Sequence, residues 1–309
     1  MKHLFIINPA AGKYDQTGEF TQKIRGACDA KGVDYEILVS RAAGDCTKIA
    51  QAAAATGEPI RIYACGGDGT LNEVVNGAVG FDNAAVTHFP GGSGNDFVRI
   101  FSDPSAFKSL ERLLDCEEAT FDLICCQNKF YSMNICSMGF DARIGTEVAK
   151  YKWLPLVSGS GAYALSAAAN IVKGIHRPYV VHIDDQAFDA RQTLICIANG
   201  RWYGGGFNPV PIAEPDDGLL DVLLVAKASR LTVANIIGKY KNGLFQQYPD
   251  LIHHFRCRRV EIECDRESEI NLDGELLMAR RATFEVVPQA IRFFFPKGLT
   301  FHAKNTAAV

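Results

Sequence analysis

The chain has 309 residues, 48% of them apolar and 22% charged, which is ordinary globular composition at a length suited to two domains. A formal charge of −3 with no long run of one sign excludes a typical nucleic-acid binder. Ten cysteines without a C-x-x-C pair read as reduced thiols, mostly small core residues, and the start "MKHLFIINPAAGK" lacks the apolar core and cleavage site of a secretory leader, so a cytoplasmic protein is expected.

Strand and helix alternate through roughly the first 120 residues. Leu4–Asn8 is a short strand, and "DQTGEFTQKIRGACDAKG" is a helix stopped by Gly32. "DYEILVS" is a second strand, and "DCTKIAQAAAATG" is a helix opened by a capping Asp45 and ended by Gly57. "PIRIYAC" is a third strand, running into "GGDGTLNEVVNG", a glycine turn and an amphipathic helix. "AVTHFP" is a fourth strand, leading to a second glycine turn, "GGSGNDFVRIF". This repetition predicts a parallel sheet with helices on both faces and sites at the carboxyl ends of its strands.

The pattern changes near 120–125. "TFDLICCQNKFYSMNICSMGF" alternates as a hairpin with "NK" at its turn. After it come "PYVVHIDDQAFDA", "RQTLICIANG", "GLLDVLLVA", "RRVEIECD", "SEINLDGE", "ATFEVVP" and "AIRFFFP", short strands with one helix, "SRLTVANIIGKYKNG", among them. The fold class is therefore α/β: a parallel-sheet domain over 1–122, joined by 297–309 if the chain returns to it, and a mostly antiparallel β domain over 123–296.

One segment stands out. Residues 153–172, Trp153 to Val172, are 20 residues without a charge, flanked by Lys150, Lys152, Lys173 and Arg177. Pro155, Asn170 and several Ser and Gly dilute its apolar character. It suits a loop and a buried Ala-rich helix, or an interfacial helix with basic flanks, better than a membrane span.

Neither glycine turn is a G-x-G-x-x-G fingerprint, "NPAAGKY" is not a Walker A loop, and the seven histidines have no zinc-ligand spacing. His253–His254 read as surface residues of a loop or helix. What remains is three turns at the ends of strands one, three and four, with Asp68 and Asp96 in two of them. A glycine turn between strand and helix attracts phosphate. A carboxylate about 5 Å from a phosphate charge costs roughly 3 kcal/mol at an effective dielectric of about 20. A magnesium ion held by Asp68 and Asp96 removes that cost, because this cation is typically bound by one or two carboxylates plus phosphate oxygens. Asp68 is also compatible with a turn carboxylate capping its own helix, and Asp96 with a cap on "FVRIF".

The segments "GGDGTLNEVVNG", "GGSGNDF", "YGGGFNPVPIAEPDDGLLDV" and "NLDGE", in this order, resemble the soluble bacterial diacylglycerol kinase type of lipid kinase, within the class that holds sphingosine and ceramide kinases. GGDG alone is also shared with NAD kinases and phosphofructokinases. The resemblance implies a nucleotide domain of that α/β type, a C-terminal β-sandwich domain, ATP and Mg²⁺ as cofactors, and transfer of the γ-phosphate to a lipid hydroxyl, diacylglycerol first. It implies that Asn8, Pro9, Ala10, Ala11 and Gly12, with Gly67, Asp68, Gly69, Thr70, Leu71, Asn72 and Glu73, contact ATP, and that Ser40 and Ser93 add polar contacts. Ser93 stands where threonine is usual. The resemblance also implies that Asp68 and Asp96 act in catalysis and that Glu275 of "NLDGE" corresponds to the base, although the same turn chemistry suits an exposed hairpin residue. "AEPDDGLLD" corresponds to a second, structural metal site made by the Asp217 carboxylate and the backbone carbonyls of Glu214 and Leu219, and by itself reads as an acidic hairpin loop. A lipid acceptor implies peripheral contact with a membrane surface, for which the basic flanks of 153–172 and Arg256, Arg258 and Arg259 are the candidates, and a homodimer is common in the family. A kinase of a soluble acceptor and a binding protein without turnover are the other readings.

Overall fold

In this computed structural model the described residues are 1–92, 94–147, 166 and 175–302. The apolar run after Met1 sets the first element: β1 (Lys2–Ile7) is buried from His3 onward and so needs a partner on each side. It pairs in parallel with β2 (Tyr35–Val39), Ile6 opposite Leu38, and with β3 (Ile60–Gly66), Ile6 opposite Ala64. β3 pairs in parallel with β4 (Ala84–Pro90). Between these strands lie α1 (Thr17–Lys31), α2 (Asp45–Ala54) and α3 (Asp68–Ala78). A last parallel partner for β4 comes from far along the chain, Arg292 opposite Ala85.

The strand order is therefore β2-β1-β3-β4, and the chain reverses direction between β1 and β3. Such a switch point opens a crevice at the carboxyl ends of the strands. The ends are level: Ile7 lies opposite Val39 and Cys65, and Gly66 opposite Pro90. The turns that follow β1, β3 and β4 thus share one edge. These elements form one compact unit, Met1–Leu123 with Pro288–His302. The return begins at Pro288 rather than at 297, because Phe293 and Phe295 belong to the aromatic core of this unit. Phe97 packs on Phe293 at 5.1 Å between ring centroids, and Phe101 on Phe295 at 4.9 Å. A short helix, α4 (Leu110–Leu114), capped by Ser109, completes it.

The second unit covers Ile124–Val287 among the described residues. β5 (Cys116–Cys126) and β6 (Phe130–Ser132) form a hairpin whose turn is the three-residue loop 127–129, with Gln127 and Asn128 at φ of 56° and 54°, so the expected "NK" lies within it. β7 (Ile135–Gly139) leads into α5 (Phe140–Glu147). β8 (Arg177–Ile183), β9 (Gln186–Ala198) and β10 (Leu220–Ala226) follow, then α6 (Arg230–Lys241), capped by Ser229. β11 (Ile252–Cys257), β12 (Arg259–Leu272) and β13 (Glu275–Pro296) end the series. The pairings among β7 to β12 are antiparallel, and β9 and β12 each pair with both β7 and β8, so four strands close on one another. Its core holds Met138, Ile195, Ile197, Val222, Ile262 and Phe284.

Two expected breaks are absent. "RRVEIECD" and "SEINLDGE" are one strand, β12, whose register against β13 shifts between Glu263 and Ser268. "ATFEVVP" and "AIRFFFP" are one strand, β13, although Pro288 interrupts them. Pro288 falls between the residues paired with β12 and those paired with β4, and at Gln289 (φ 50°) the backbone N–H turns to the Asp122 carboxylate instead of a ladder partner. All ten cysteines are free thiols, eight of them buried.

Candidate functional site

The edge of the parallel sheet is built from short tethers. Asn8 receives no side chain from the core but uses its own: Nδ2 donates to Thr70 Oγ1 (3.1 Å), and Oδ1 accepts the Ala10 N–H (3.0 Å). This ties the turn after β1 to the start of α3. The Gly66 carbonyl accepts from the amides of Gly91 (2.7 Å) and Gly92 (3.2 Å) and from His88 Nε2 (2.9 Å), which must carry the proton there. The two glycine turns then nearly touch. A side chain at Gly92 would place its Cβ 2.6 Å from Gly67 Cα, so only glycine fits.

Asp68 is the first helical residue of α3, and its side chain does not cap that helix. It reaches across to the second turn, where Oδ2 accepts the Asn95 N–H (2.8 Å) and Oδ1 the Asp96 N–H (2.5 Å). Asn95 is left-handed (φ 50°) and Asp96 is helical, the backbone pairing that turns successive amides toward one anion. Asp68 is that anion. A carboxylate offers about four acceptor sites, so two amides leave it able to meet a cation. Asp96 is buried at 5% exposure, does not cap the turn after it, and has Arg99 Nε 3.3 Å from Oδ1. Arg99 also donates twice to the Gly94 carbonyl, at 3.1 and 2.9 Å. Two carboxylates on adjoining turns form an all-oxygen donor set of the kind Mg²⁺ prefers, so these residues fit the ion.

The remaining residues expected at a nucleotide divide sharply. Pro9, Ala10, Ala11, Gly12 and Gly67 lie at the turns, and Gly69 and Asn72 in α3, with some exposure, whereas Ser40, Thr70 and Leu71 are buried supports. The Ser40 amide bonds to Ile7 and its hydroxyl to the Cys46 thiol, which burial pushes up to about 11. The Glu73 carboxylate takes the backbone N–H groups of Gly44 and Cys46, both at 3.0 Å, at the start of α2. Ser93, Lys150, Lys152, Lys173 and, apart from Ser166, the segment 153–172 lie outside the described residues.

In the second unit, Asp273 and Gly274 (φ 50° and 101°) make the two-residue turn between β12 and β13, with Leu272 opposite Glu275. The Asp273 carboxylate accepts the amides of Met133 (2.7 Å), Asn134 (3.1 Å) and Ile135 (2.8 Å). Gly274 donates to Asn271 Oδ1 (2.8 Å). Glu275 is an exposed carboxylate on a hairpin that these bonds hold in place. Sequence reasoning missed Asp273, Asn95, His88 and Gln16, whose Nε2 donates to Gly91 O (2.8 Å). The Asp-Gly dipeptide signals a turn, yet nothing local names the three amides Asp273 collects.

The acidic loop carries ion pairs on its carboxylates. Asp217 Oδ1 accepts the Leu219 N–H (3.0 Å), its other oxygen is bound by Arg256, and Glu214 is paired with Arg201 (3.0 Å). These ion pairs engage the two carboxylates, while the expected ligands on Glu214 and Leu219 are backbone carbonyls. Glu214 and Asp216 also place one ligand atom each within 4.8 Å of one another. The basic flanks fare similarly. Arg177 is tied to Glu269 (3.1 Å), and Arg259 pairs with Glu261 and Glu285. His254 is not on a loop or helix but in β11, with Nε2 2.6 Å from the buried Asp221.

Glycine turns at the switch point of a parallel sheet, followed in sequence by an antiparallel β-rich unit, correspond to two matched domain families. Residues 2–126 match the diacylglycerol kinase catalytic domain, and residues 134–295 match the YegS C-terminal NAD kinase beta sandwich-like domain. A Staphylococcus aureus (strain JH9) protein, named provisionally as a lipid kinase, is 25% identical over 233 residues, covering 75% of each chain. Two crystal structures from Bacillus anthracis (strain Sterne) share the fold. One, given provisionally as a diacylglycerol kinase, has a TM-score of 0.72 at 24% identity, and the other, given as a diacylglycerol kinase, 0.68 at 22%. Each comparison covers 100% of this chain and 98% of the other. The chain belongs to the bacterial lipid kinase family, whose members are phosphotransferases. No helix among the described residues is long and apolar enough to cross a membrane.

Proposed function

We propose that this protein transfers the γ-phosphate of magnesium-bound ATP to a lipid hydroxyl, with diacylglycerol as the first candidate and phosphatidic acid as its product. The observation that carries this reading is the meeting of Asp68 and Asp96 on adjoining glycine turns, in a chain of the lipid kinase family. The amides of those turns bind phosphate oxygens, and Asp68 and Asp96 hold the cation. The ion supplies neutralisation of phosphate charge. Glu275 accepts the proton of the lipid hydroxyl as its oxygen bonds to the γ-phosphorus and the bond to the β-phosphate oxygen breaks, releasing ADP. A carboxylate suffices because the proton departs late in a loose transition state, so its placement matters more than its basicity. The C-terminal unit takes the lipid, and the protein works at the inner face of a membrane as a peripheral enzyme.

The test is transfer of label from ATP to a lipid panel in mixed micelles, with wild type, Glu275→Ala, and wild type plus chelator. Label is expected in a lipid, lowered by about a hundredfold or more in Glu275→Ala and abolished by chelator. Label in no lipid, or equal transfer by the variant, defeats the reading.

A further inference from the structure

We propose that the outward face of α6 docks on an anionic lipid bilayer. Residues 222–249 contain no Asp or Glu but carry Lys227, Arg230, Lys239 and Lys241, a local charge of +4 in a chain whose net charge is −3. Of the acids that bound this stretch, Asp221 is buried against His254, and Asp250 is exposed beyond the helix. At about 3.6 residues per turn, Leu231 and Gly238 point directly away from the buried Val233, Ile236 and Tyr240. Arg230 and Lys241 then stand on one shoulder of that face and Lys239 on the other. Leu231 is 78% exposed, more than any other large apolar side chain among the described residues.

Nothing local accounts for this face. The apolar contact at the start of the helix is made by Ala228 and Val233, so Leu231 is not needed for it. A side chain at Gly238 would meet nothing within 4 Å, so packing does not require glycine there, although glycine weakens a helix interior. The first turn holds an arginine and no acid, against the preference of the helix dipole. Arg61, Arg177 and Arg259 are all tied to glutamates, whereas Lys227, Lys239 and Lys241 form no ion pair among the described residues. Lys241 instead leans over the Phe207 ring, 5.3 Å from its centroid. Beside the start of the helix, burial first, then the charges of Lys227 and Arg191, hold the His176 imidazole below its usual pKa, so Arg191 extends the positive surface.

A nucleic acid or an acidic peptide would satisfy the cations and leave Leu231 in water. A bilayer takes both: the cations meet headgroup phosphates, and the leucine enters the acyl boundary. Ala234 and Gly238 keep the face low, so the headgroups come close while the lysines reach up beside them. Each cation near an anionic leaflet adds about fivefold in affinity, and the gain fades with salt. The helix thereby gives the peripheral enzyme proposed above its contact surface. Its purpose rests on that reading, but the contact itself does not.

The test is sedimentation of the full chain with vesicles of phosphatidylcholine, alone or mixed equally with phosphatidylglycerol, without nucleotide. Binding is expected to the mixed vesicles, weakened by salt, and little to phosphatidylcholine alone. Lys239→Glu with Lys241→Glu should lower the affinity by about 25-fold or more, and Leu231→Ser by about tenfold. Arg25→Glu with Lys48→Glu, an equal change in net charge on the other unit, should cost far less. All three changes are at exposed positions, and unchanged melting temperatures confirm folding. No binding to mixed vesicles, wild-type affinity in either α6 variant, or an equal loss in the control overturns the proposal. Vesicle binding without phosphorylation of any lipid upholds the docking helix and removes only the kinase reading. Phosphorylation in micelles by a chain that binds no vesicle does the reverse.

Discussion

Asp68 brings a negative charge into a turn whose amides attract anions, and two amides of the neighbouring turn hold it there. Asp68→Asn puts an NH₂ against one of those N–H donors and leaves it unpaired. A loss of about 1–3 kcal/mol is expected, seen as a lower urea midpoint with an unchanged slope. His3 makes a different kind of residue-scale prediction. Burial first, then the Arg61 guanidinium and the terminal ammonium, lower its pKa from 6.5 to about 4, and its ring bonds to the Tyr63 hydroxyl (2.8 Å). Burial lowers the pKa of His88 too, against the pull of the Asp68 charge and the Gly66 carbonyl. The unfolded chain takes up these protons near pH 6.5 and the folded chain only at lower pH. Stability is thus fully present above pH 6.5 and falls as the pH drops toward 4, by on the order of 3 kcal/mol for His3. His3→Gln, followed by melts across that range, should flatten part of the slope.

At the scale of elements, the start of α2 shows how a local rule gives way to a distant partner. Asp45 has the residue type of a cap, but the N-cap is Gly44 in the left-handed region (φ 78°), and the Asp45 carboxylate turns back to the Arg41 N–H (2.9 Å). The free amides are served from α3 by Glu73. Glu73→Ala should cost about 1–3 kcal/mol and Glu73→Gln less, since one acceptor survives. The hairpin carrying Glu275 is held in the same manner. Asp273→Ala strands three amides and should cost about 3 kcal/mol or more, and the lost rigidity should lower turnover in the lipid assay even though Glu275 is untouched. If Asp273→Ala melted and turned over as the parent does, the hairpin would not be the mount described here.

For the whole molecule, two units with separate cores make a single all-or-none transition a poor expectation. Magnesium-bound ATP should stabilise the parallel-sheet unit by about 2.7 kcal/mol at a hundredfold excess over its Kd, with slowed hydrogen exchange confined to residues 8–12, 66–73 and 91–96 and removed by chelator. Protection elsewhere, or none, would displace the site from these turns. Strands β1 to β4, helices α1 to α3 and the glycine turns are legible in the sequence, because apolar periodicity and turn chemistry act over a few residues. The family is legible for the same reason, since its motifs are short and contiguous. Tertiary structure alone decided what the carboxylates grip: Asp68 reaches 28 residues on, Glu73 reaches 29 back, and Asp273 reaches 139 back to Asn134. It also carried β13 through Pro288. A hydrogen-bond acceptor is completed by whatever the fold brings beside it, and no local pattern names a partner so far along the chain.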